Sequence, residues 1–428
     1  GESWNVTDDD EMRDKIESKS FQNFNTLSRE DEILAGKSIW YYIGQENGAE
    51  AISNIIFWTQ YERSAEGALI RSTGLGMAKI LQNWRSWYYT KYAQENRLGN
   101  VPKGTESSPD KIAKYKHTRF TISPNGKYMA IVTNNSGLVK VWLYNVKNKS
   151  TKLLQKSGYK SETITSDNYY PLIAWNPDSR KLGIITYKDN QDQLKEINII
   201  NGKFKYYDIG KHDGVRDFCY SPHGDSIVLS AFSYGQSDLF YADLKTAKLS
   251  RITNDYYLDI NPSFMPDGTL LFASKRPTKA MDNDNILNVS NYPTTIFSYE
   301  KNGQIQSLGK PKFGANYYAP IYYGSGLITC LTDETGIVNA VVTPFDSNSP
   351  FVFVSNYKRN ILYQDIAQEK QQLAELILNN ERYYIYLSDL AVDVIDESKN
   401  LDPKNTTYRS NNPIGYEPFN SAGKTKKL

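Results

Sequence analysis

His117, His212 and His223 are the only histidines in a chain of 428 residues. A catalytic zinc takes three protein ligands and an open position, most simply two histidines one helical turn apart plus a carboxylate. None of the three has a histidine four residues on, so the chain offers no such set. His212-Asp213, followed by Arg216-Asp217, is a pair of the kind that orients a general base. No nucleophilic Ser in a Gly-x-Ser-x-Gly elbow accompanies it, so loop hydrogen bonding is the expected role. Residues 281–288, MDNDNILN, alternate carboxylate and amide oxygens as a calcium loop does. They lack the central Gly and terminal Glu of an EF-hand and read as an exposed polar insert. Asp8-Asp9-Asp10 offers three carboxylates to a cation, but charge at the positive end of a helix dipole explains the run more simply. Cys219 and Cys330 stand in apolar contexts and read as buried thiols. No catalytic residue and no metal ligand is expected from this inventory.

Tyrosine is the outlier, at 33 of 428 residues, and often comes in pairs. DNYYPLIAW, NDYYLDINPSF and ANYYAPIYY place Tyr169-Tyr170, Tyr256-Tyr257 and Tyr317-Tyr318 just before an apolar strand, and Tyr357 in SNYKRNILYQ is a weaker fourth instance. Tyr suits strands and wet interfaces, where the ring packs and the hydroxyl finds a partner. These seven residues are the candidate partner-binding set. The alternative role is to wedge adjacent sheets together.

Charge excludes some classes. The formal net charge is +2 over 50 basic and 48 acidic side chains, read as evenly spread, and that is no footprint for nucleic acid. No run approaches the ~18 apolar residues of a membrane-spanning helix.

The elements that must position the tyrosines change character along the chain. Residues 1–95 read as five helices: one over 11–19 behind the acidic triad, one capped by Ser28, one carrying Ile52, Ile55 and Ile56, one capped by Ser64, and one in which Met77, Ile80, Leu81, Trp84, Trp87 and Tyr88 follow the 3.6-residue period. The bundle is apolar for its size and is expected to pack against something further. Residues 96–112 are polar with Gly, Pro and Ser, and read as a linker. From 113 to 390 the period is 2, and one unit recurs: strand, Pro/Asp/Gly turn, strongly apolar strand, then two more strands. Pro124, Pro177, Pro222 and Pro266 fall at spacings of 53, 45 and 44. Several strands per ~40–50-residue repeat predict a β-propeller, here of six blades, because one small sheet cannot bury both faces and radial stacking does it. Residues 391–428 read as an extended polar tail. The fold class is thus mainly β, a six-bladed propeller preceded by a helical module.

Residues 251–274, RITNDYYLDINPSFMPDGTLLFAS, resemble the TolB-type propeller repeat, and the resemblance extends over 113–390. The helical part resembles the C-terminal subdomain of gluzincin-type, peptidase-MA-like metallopeptidases, which in Bacteroidota precedes a TolB-like propeller. The matching features are Gly36-x-Ser38-Ile39-Trp40-x-Tyr42-Ile43, the Gly48 turn, Ser64-Ala65-Glu66, and Trp84 followed by Trp87-Tyr88. This resemblance implies that the helical module is incomplete, and that a His-Glu-x-x-His helix with its zinc would lie upstream of Gly1. It further implies a periplasmic or cell-surface, outer-membrane-associated protein. Three functions are open at this point: a scaffold whose propeller holds a protein partner in an envelope complex, the non-catalytic remainder of a zinc metallopeptidase, and a glycan-binding propeller using Tyr169 and Tyr256.

Overall fold

A computed structural model describes residues 4–22, 24, 27–161, 170–277, 292–312, 314–399 and 401–412. Helix α1 (Val6–Glu17) begins where the Asn5 side chain accepts from the amides of Thr7 and Asp8. It starts earlier than the acidic run suggests, so Asp8–Asp10 lie inside the helix rather than ahead of it. Helix α2 (Arg29–Asn47) is capped by Ser28, whose Oγ accepts from Asp31 N at 3.2 Å. Gly48, at φ +82°, separates it from α3 (Ala49–Glu62). Ser64 Oγ accepts from Gly67 N at 3.0 Å to start α4 (Ala65–Thr73), and α5 (Met77–Glu95) follows. Met12, Ile43, Ile55, Ile80, Trp84 and Tyr88 form the core of this bundle. Trp84 Nε1 donates to Ser38 Oγ at 3.1 Å, so the largest buried ring keeps its polar atom satisfied.

The remainder is a six-bladed β-propeller, each blade a four-stranded antiparallel sheet. A two-residue strand, β1 (Thr105–Glu106), precedes them. The first blade is β2 (Lys116–Ile122), β3 (Tyr128–Asn135), β4 (Leu138–Asn145) and β5 (Ser150–Ser157). The second is β6 (Leu172–Trp175), β7 (Lys181–Lys188), β8 (Gln191–Asn198) and β9 (Phe204–Asp208); the third is β10 (Gly214–Tyr220), β11 (Ser226–Ser233), β12 (Gln236–Asp243) and β13 (Leu249–Arg251). The fourth is β14 (Asp259–Phe264), β15 (Leu270–Ser274), β16 (Thr295–Tyr299) and β17 (Ile305–Ser307); the fifth is β18 (Tyr317–Gly324), β19 (Leu327–Thr332), β20 (Asn339–Pro344) and β21 (Val352–Phe353). The sixth is β22 (Ile361–Ala367), β23 (Gln372–Asn379) and β24 (Arg382–Asp389), and its outer strand is β1. Part of the segment expected to be a linker therefore completes the last sheet. Gly104 permits this, since a Cβ there would sit 2.8 Å from the Leu387 carbonyl oxygen.

The chain divides into two compact units. One comprises Gly1–Pro171 and Asn356–Leu390: the helices with the first and sixth blades. Its blades share a core of Phe120, Ile122, Met129, Ile131, Leu376 and Ile385. The helices are tied to the sixth blade by a buried ionic network. Arg359, just before β22, donates from Nε to Asp10 Oδ1 at 2.9 Å and from Nη1 to Asp14 Oδ1 at 2.8 Å. Arg13 donates to Glu95 at 2.5 Å and to the Lys358 carbonyl at 2.8 Å, and Lys91 donates to Asp9 at 2.5 Å. The acidic run is thus the helical half of a dock.

The other unit comprises Leu172–Ser355 and Ala391–Leu428, with the second to fifth blades stacked in series. The segment after 390, read as an extended tail, carries two short helices, α6 (Val394–Ser398) and α7 (Thr407–Asn411), where described. It packs on the fifth blade: Thr406 N donates to the Thr335 carbonyl at 2.9 Å, and Arg409 Nη2 to the Asp333 carbonyl at 2.6 Å. Gly336 allows that approach, because a Cβ there would meet Thr406 Oγ1 at 2.2 Å. Cys219 and Cys330 are free thiols, and burial pushes both thiols up. Among the described residues no helix is long and apolar enough to cross a membrane.

Candidate functional site

In a four-stranded meander the chain enters and leaves at one end, and the turn between the second and third strands returns to that same end. The inter-blade connectors and these second-turn hairpins therefore share one end of each blade. On the third and fourth blades this connector end gathers a set of tightly held side chains. Asp213, in the connector before β10, accepts the Tyr234 amide at 2.8 Å. Tyr234-Gly235 is a two-residue turn between β11 and β12 with both residues at positive φ, +53° and +78°. Turns of this primed type favour Asn-Gly, because a bulky side chain is strained there. The Tyr234 side chain is 96% exposed, so its ring gains no packing in return. His212 turns the other way: its ring packs on Phe240 at 4.8 Å and Nε2 lies 3.0 Å from the Ile209 carbonyl. His212 and Asp213 do not act on a common atom, and the pair serves the loop.

Behind Tyr234 the connector before β14 is pinned by charge. Arg276 donates to both oxygens of Asp259, at 2.6 and 2.9 Å, and to Asp255 at 2.5 Å. Arg251 pairs with Asp238, and Asp255 N donates to Asp238 at 3.3 Å. Burial pushes the Asp259 carboxyl up, with Arg276 opposing. Burial works against the Arg276 charge, yet Asp259 and Asp255 outweigh it and hold the group up. Carboxylate oxygens of Asp238, Asp255 and Asp259 lie within 4.8 Å of one another, a composition that suits a hard cation. Arg276 and Arg251 already neutralise most of that charge, and a divalent ion would have to displace the two-pronged Arg276–Asp259 pair. The cluster is a strut that sets the connector, with Tyr256 standing out from it at 62% exposure.

The seven tyrosines singled out by their spacing separate in the structure. Tyr169 lies outside the described residues, as does the 281–288 insert. Tyr170 is half-buried ahead of a cis peptide to Pro171. Tyr256 is exposed, while Tyr257 is half-buried with the Arg276 guanidinium 5.7 Å from its ring. Tyr317 is buried, stacks on Phe351 at 4.4 Å and donates to Glu334 at 2.9 Å. Tyr318 is half-buried against the same core. Tyr357 is half-buried and donates to Glu375 at 2.8 Å. Tyr234 was not among the expected residues. Its signal was the Tyr-Gly pair at the midpoint of two alternating apolar runs, which marks a hairpin tip.

His117 lies on β2 with its ring stacked on Tyr383 at 4.6 Å and its Nδ1 2.7 Å from the Tyr115 carbonyl; burial pushes it down to about 4. His223 is exposed in the turn after β10. The described residues thus bring no histidine pair together for zinc.

No protein-family model matches the chain, and no curated protein matches it. Among solved structures it is similar to TolB from Acinetobacter baumannii, at 14% identity over 74% of this chain and 72% of that one, with a TM-score of 0.44. It is also similar to the β-propeller domain of the Trilobed protease from Pyrococcus furiosus (15% identity, 67% and 84% covered, TM-score 0.41) and to Kuenenia stuttgartiensis hydrazine synthase (14%, 72% and 85%, 0.43). These likenesses are distant, and none bears on activity or partner.

Proposed function

We propose that this chain is a protein-binding scaffold of the cell envelope, periplasmic or at the cell surface, and a subunit of a larger assembly. Its partner sits on the connector ends of the third and fourth blades. One observation carries the reading: Tyr234 holds a strained backbone conformation with its ring almost wholly in solvent. Strain at an exposed aromatic that packs on nothing points to use by a partner. Tyr256 adds a second exposed ring on a connector made rigid by Arg276. Rigid, exposed tyrosines on a fixed frame are the usual anchors of protein interfaces. Tyr257 and Tyr318 belong to the same proposed surface, and Tyr317 braces it through Glu334. The envelope location rests on the TolB-type and gluzincin-type sequence resemblance.

The test is site-specific photo-crosslinking in the native cell, with the reactive group at position 234, 256 or, as a control at the opposite blade end, 201. A partner captured at 234 and 256 is then purified and its affinity measured. The Tyr234→Ala/Tyr256→Ala double variant is expected to bind it at least ~10-fold more weakly. Crosslinking confined to 201, or unchanged affinity of the double variant, overturns the proposal.

A further inference from the structure

Charge along the chain is not evenly spread. Residues 111–161 contain ten lysines and one arginine and no aspartate or glutamate, where the chain's overall acid content would place about six. That stretch is the first blade. Its outer strand β5 is also unlike the other outer strands. It is 8 residues long, against 5 for β9, 3 for β13 and β17, and 2 for β21 and β1. Among the described residues it is the terminal strand of its sheet and pairs with β4, so its other edge carries no further strand.

We propose that the open edge of β5 receives an acidic, extended segment of a partner protein, which adds to the first blade as a fifth strand. This rests on the reading of the chain as a protein binder and names a second surface with its own partner chemistry. The edge supplies main-chain hydrogen bonds, the basis of strand addition. Lys147, Lys149, Lys152, Lys156 and Lys160 are exposed along the strand and its flanks. Lys156 lies directly opposite Lys140 on β4, a like-charge cross-strand pair that costs stability until an anion joins it. Leu153 and the 69% exposed Tyr159 offer apolar contact between the charges. Glu106 and Asp110 line a cavity of about 570 Å³ with Lys149 and Ser150, so among the described residues acid meets the strand near its start. The binding stretch runs from Lys152 towards Lys160.

Lysines on an open edge also repel a second copy of the same edge. The charge that prevents self-pairing selects an acidic strand. The basic set is almost entirely lysine and lies along an exposed ladder, with only one large exposed ring beside it. That pattern favours a peptide over nucleic acid, where stacked rings and forked guanidiniums carry recognition.

The test uses the full chain and a fluorescent 12-residue peptide of alternating Glu and Val. Controls are the same peptide with alternate backbone amides methylated, a 20-nucleotide single-stranded DNA, and vesicles of phosphatidylserine and phosphatidylcholine. The unmethylated peptide is expected to bind at low salt, to weaken as salt rises, and to protect β5 amides from hydrogen exchange. The methylated peptide, equal in charge, should bind at least ~10-fold more weakly, because an edge strand needs its partner's amides. Lys152→Glu/Lys156→Glu should lose the peptide while melting within a few degrees of the parent. Equal binding of the two peptides, tighter binding of DNA or vesicles, protection away from β5, or no peptide binding overturns the proposal. If the double variant fails to fold, the peptide pair still decides. Crosslinking at 234 does not involve β5, so failure here leaves the first surface standing.

Discussion

The hairpin between β23 and β24 and the hairpin between β11 and β12 are the same turn in two blades. Asn380-Glu381 has φ of +49° and +57°; Tyr234-Gly235 has +53° and +78°. In each, a carboxylate accepts the amide of one turn residue at 2.8 Å: Asp14 for Glu381, and Asp213 for Tyr234. The difference is what lies outside. The first turn is contacted by helix α1, although Asn380 and Glu381 stay exposed, and Glu381 returns a salt bridge to Lys15 at 2.7 Å. The second meets solvent. The turn at α1 shows how charge and hairpin backbone combine to hold a helix at a blade end.

The largest effect should come from breaking the contact with α1. Arg359 is buried between Asp10 and Asp14, and burial pushes the Asp14 carboxyl up despite Arg359 beside it. Arg359→Met leaves two carboxylates without their counter-charge, a loss of about 3–5 kcal/mol. Chemical denaturation should show it. Hydrogen exchange should place the opening in α1 and the β22 end rather than in the second to fifth blades. Uniform loss across both units would mean that the dock is not a local device.

Two tyrosines at blade entrances, Tyr317 at the start of β18 and Tyr357 ahead of β22, allow a second contrast. Tyr317 donates to Glu334, which has Lys312 Nζ at 3.0 Å; Tyr357 donates to Glu375, whose other oxygen has no hydrogen-bond partner. Burial pushes the Glu375 carboxyl up to about 7, with the Tyr357 hydroxyl opposing. A raised folded-state value means that the folded chain holds a proton the unfolded chain has released. The resulting stability is present below the unfolded value of about 4.5 and is lost as pH rises through 7. The expected loss between pH 5 and 8 is roughly 3 kcal/mol. Glu375→Gln, which keeps an acceptor for Tyr357, should flatten that part of the stability–pH curve. An unchanged curve would show that Glu375 ionises freely.

The sequence displays some of this and hides the rest for physical reasons. Period-2 alternation and the recurring Pro turns reveal the blades, because a buried sheet cannot avoid that pattern. Tyr256-Tyr257 lies in a connector while Tyr317-Tyr318 opens β18, and neighbouring side chains in extended backbone face opposite ways, so Tyr256 is exposed beside a half-buried Tyr257 and Tyr317 is buried beside a half-buried Tyr318. Pairing of β1 with β24 is invisible locally, since two residues between Pro102 and Pro109 carry no strand signal and the partner sets their form. The Tyr234-Gly235 pair carries the signal of a hairpin tip, but Tyr itself favours strands and does not draw attention to the turn. Asp8, Asp9 and Asp10 read as helix-start charge, and only the fold brings Arg359 to Asp10 and Asp14.

A smaller effect, with a change of sign, separates function from folding at the open turn. Tyr234→Asn relieves strain that costs a non-glycine residue about 1 kcal/mol, and no packing is lost with a ring in solvent. Stability should rise by about that amount while affinity for the partner falls. A rise in stability with unchanged affinity would make Tyr234 an accident of the turn.

The same change at the turn beside α1 should do almost nothing, and that near-zero is the sharpest reading of the comparison. Asn at 381 gains about the same turn relief, because the backbone conformation is equivalent. It also gives up the Glu381–Lys15 pair, which is partly exposed and worth at most about 1 kcal/mol. The amide bond to Asp14 survives, since it uses the backbone. Gain and loss oppose, so Glu381→Asn should leave the unfolding free energy within about 0.5 kcal/mol of the parent. Raising the salt concentration screens the pair in the parent and leaves nothing to screen in the variant, so Glu381→Asn should become the more stable protein at high salt. If it is instead as stabilising as Tyr234→Asn at every salt concentration, the helix contact contributes nothing to holding Glu381. The turn at α1 would then no longer serve as a guide to the partner proposed for the open one.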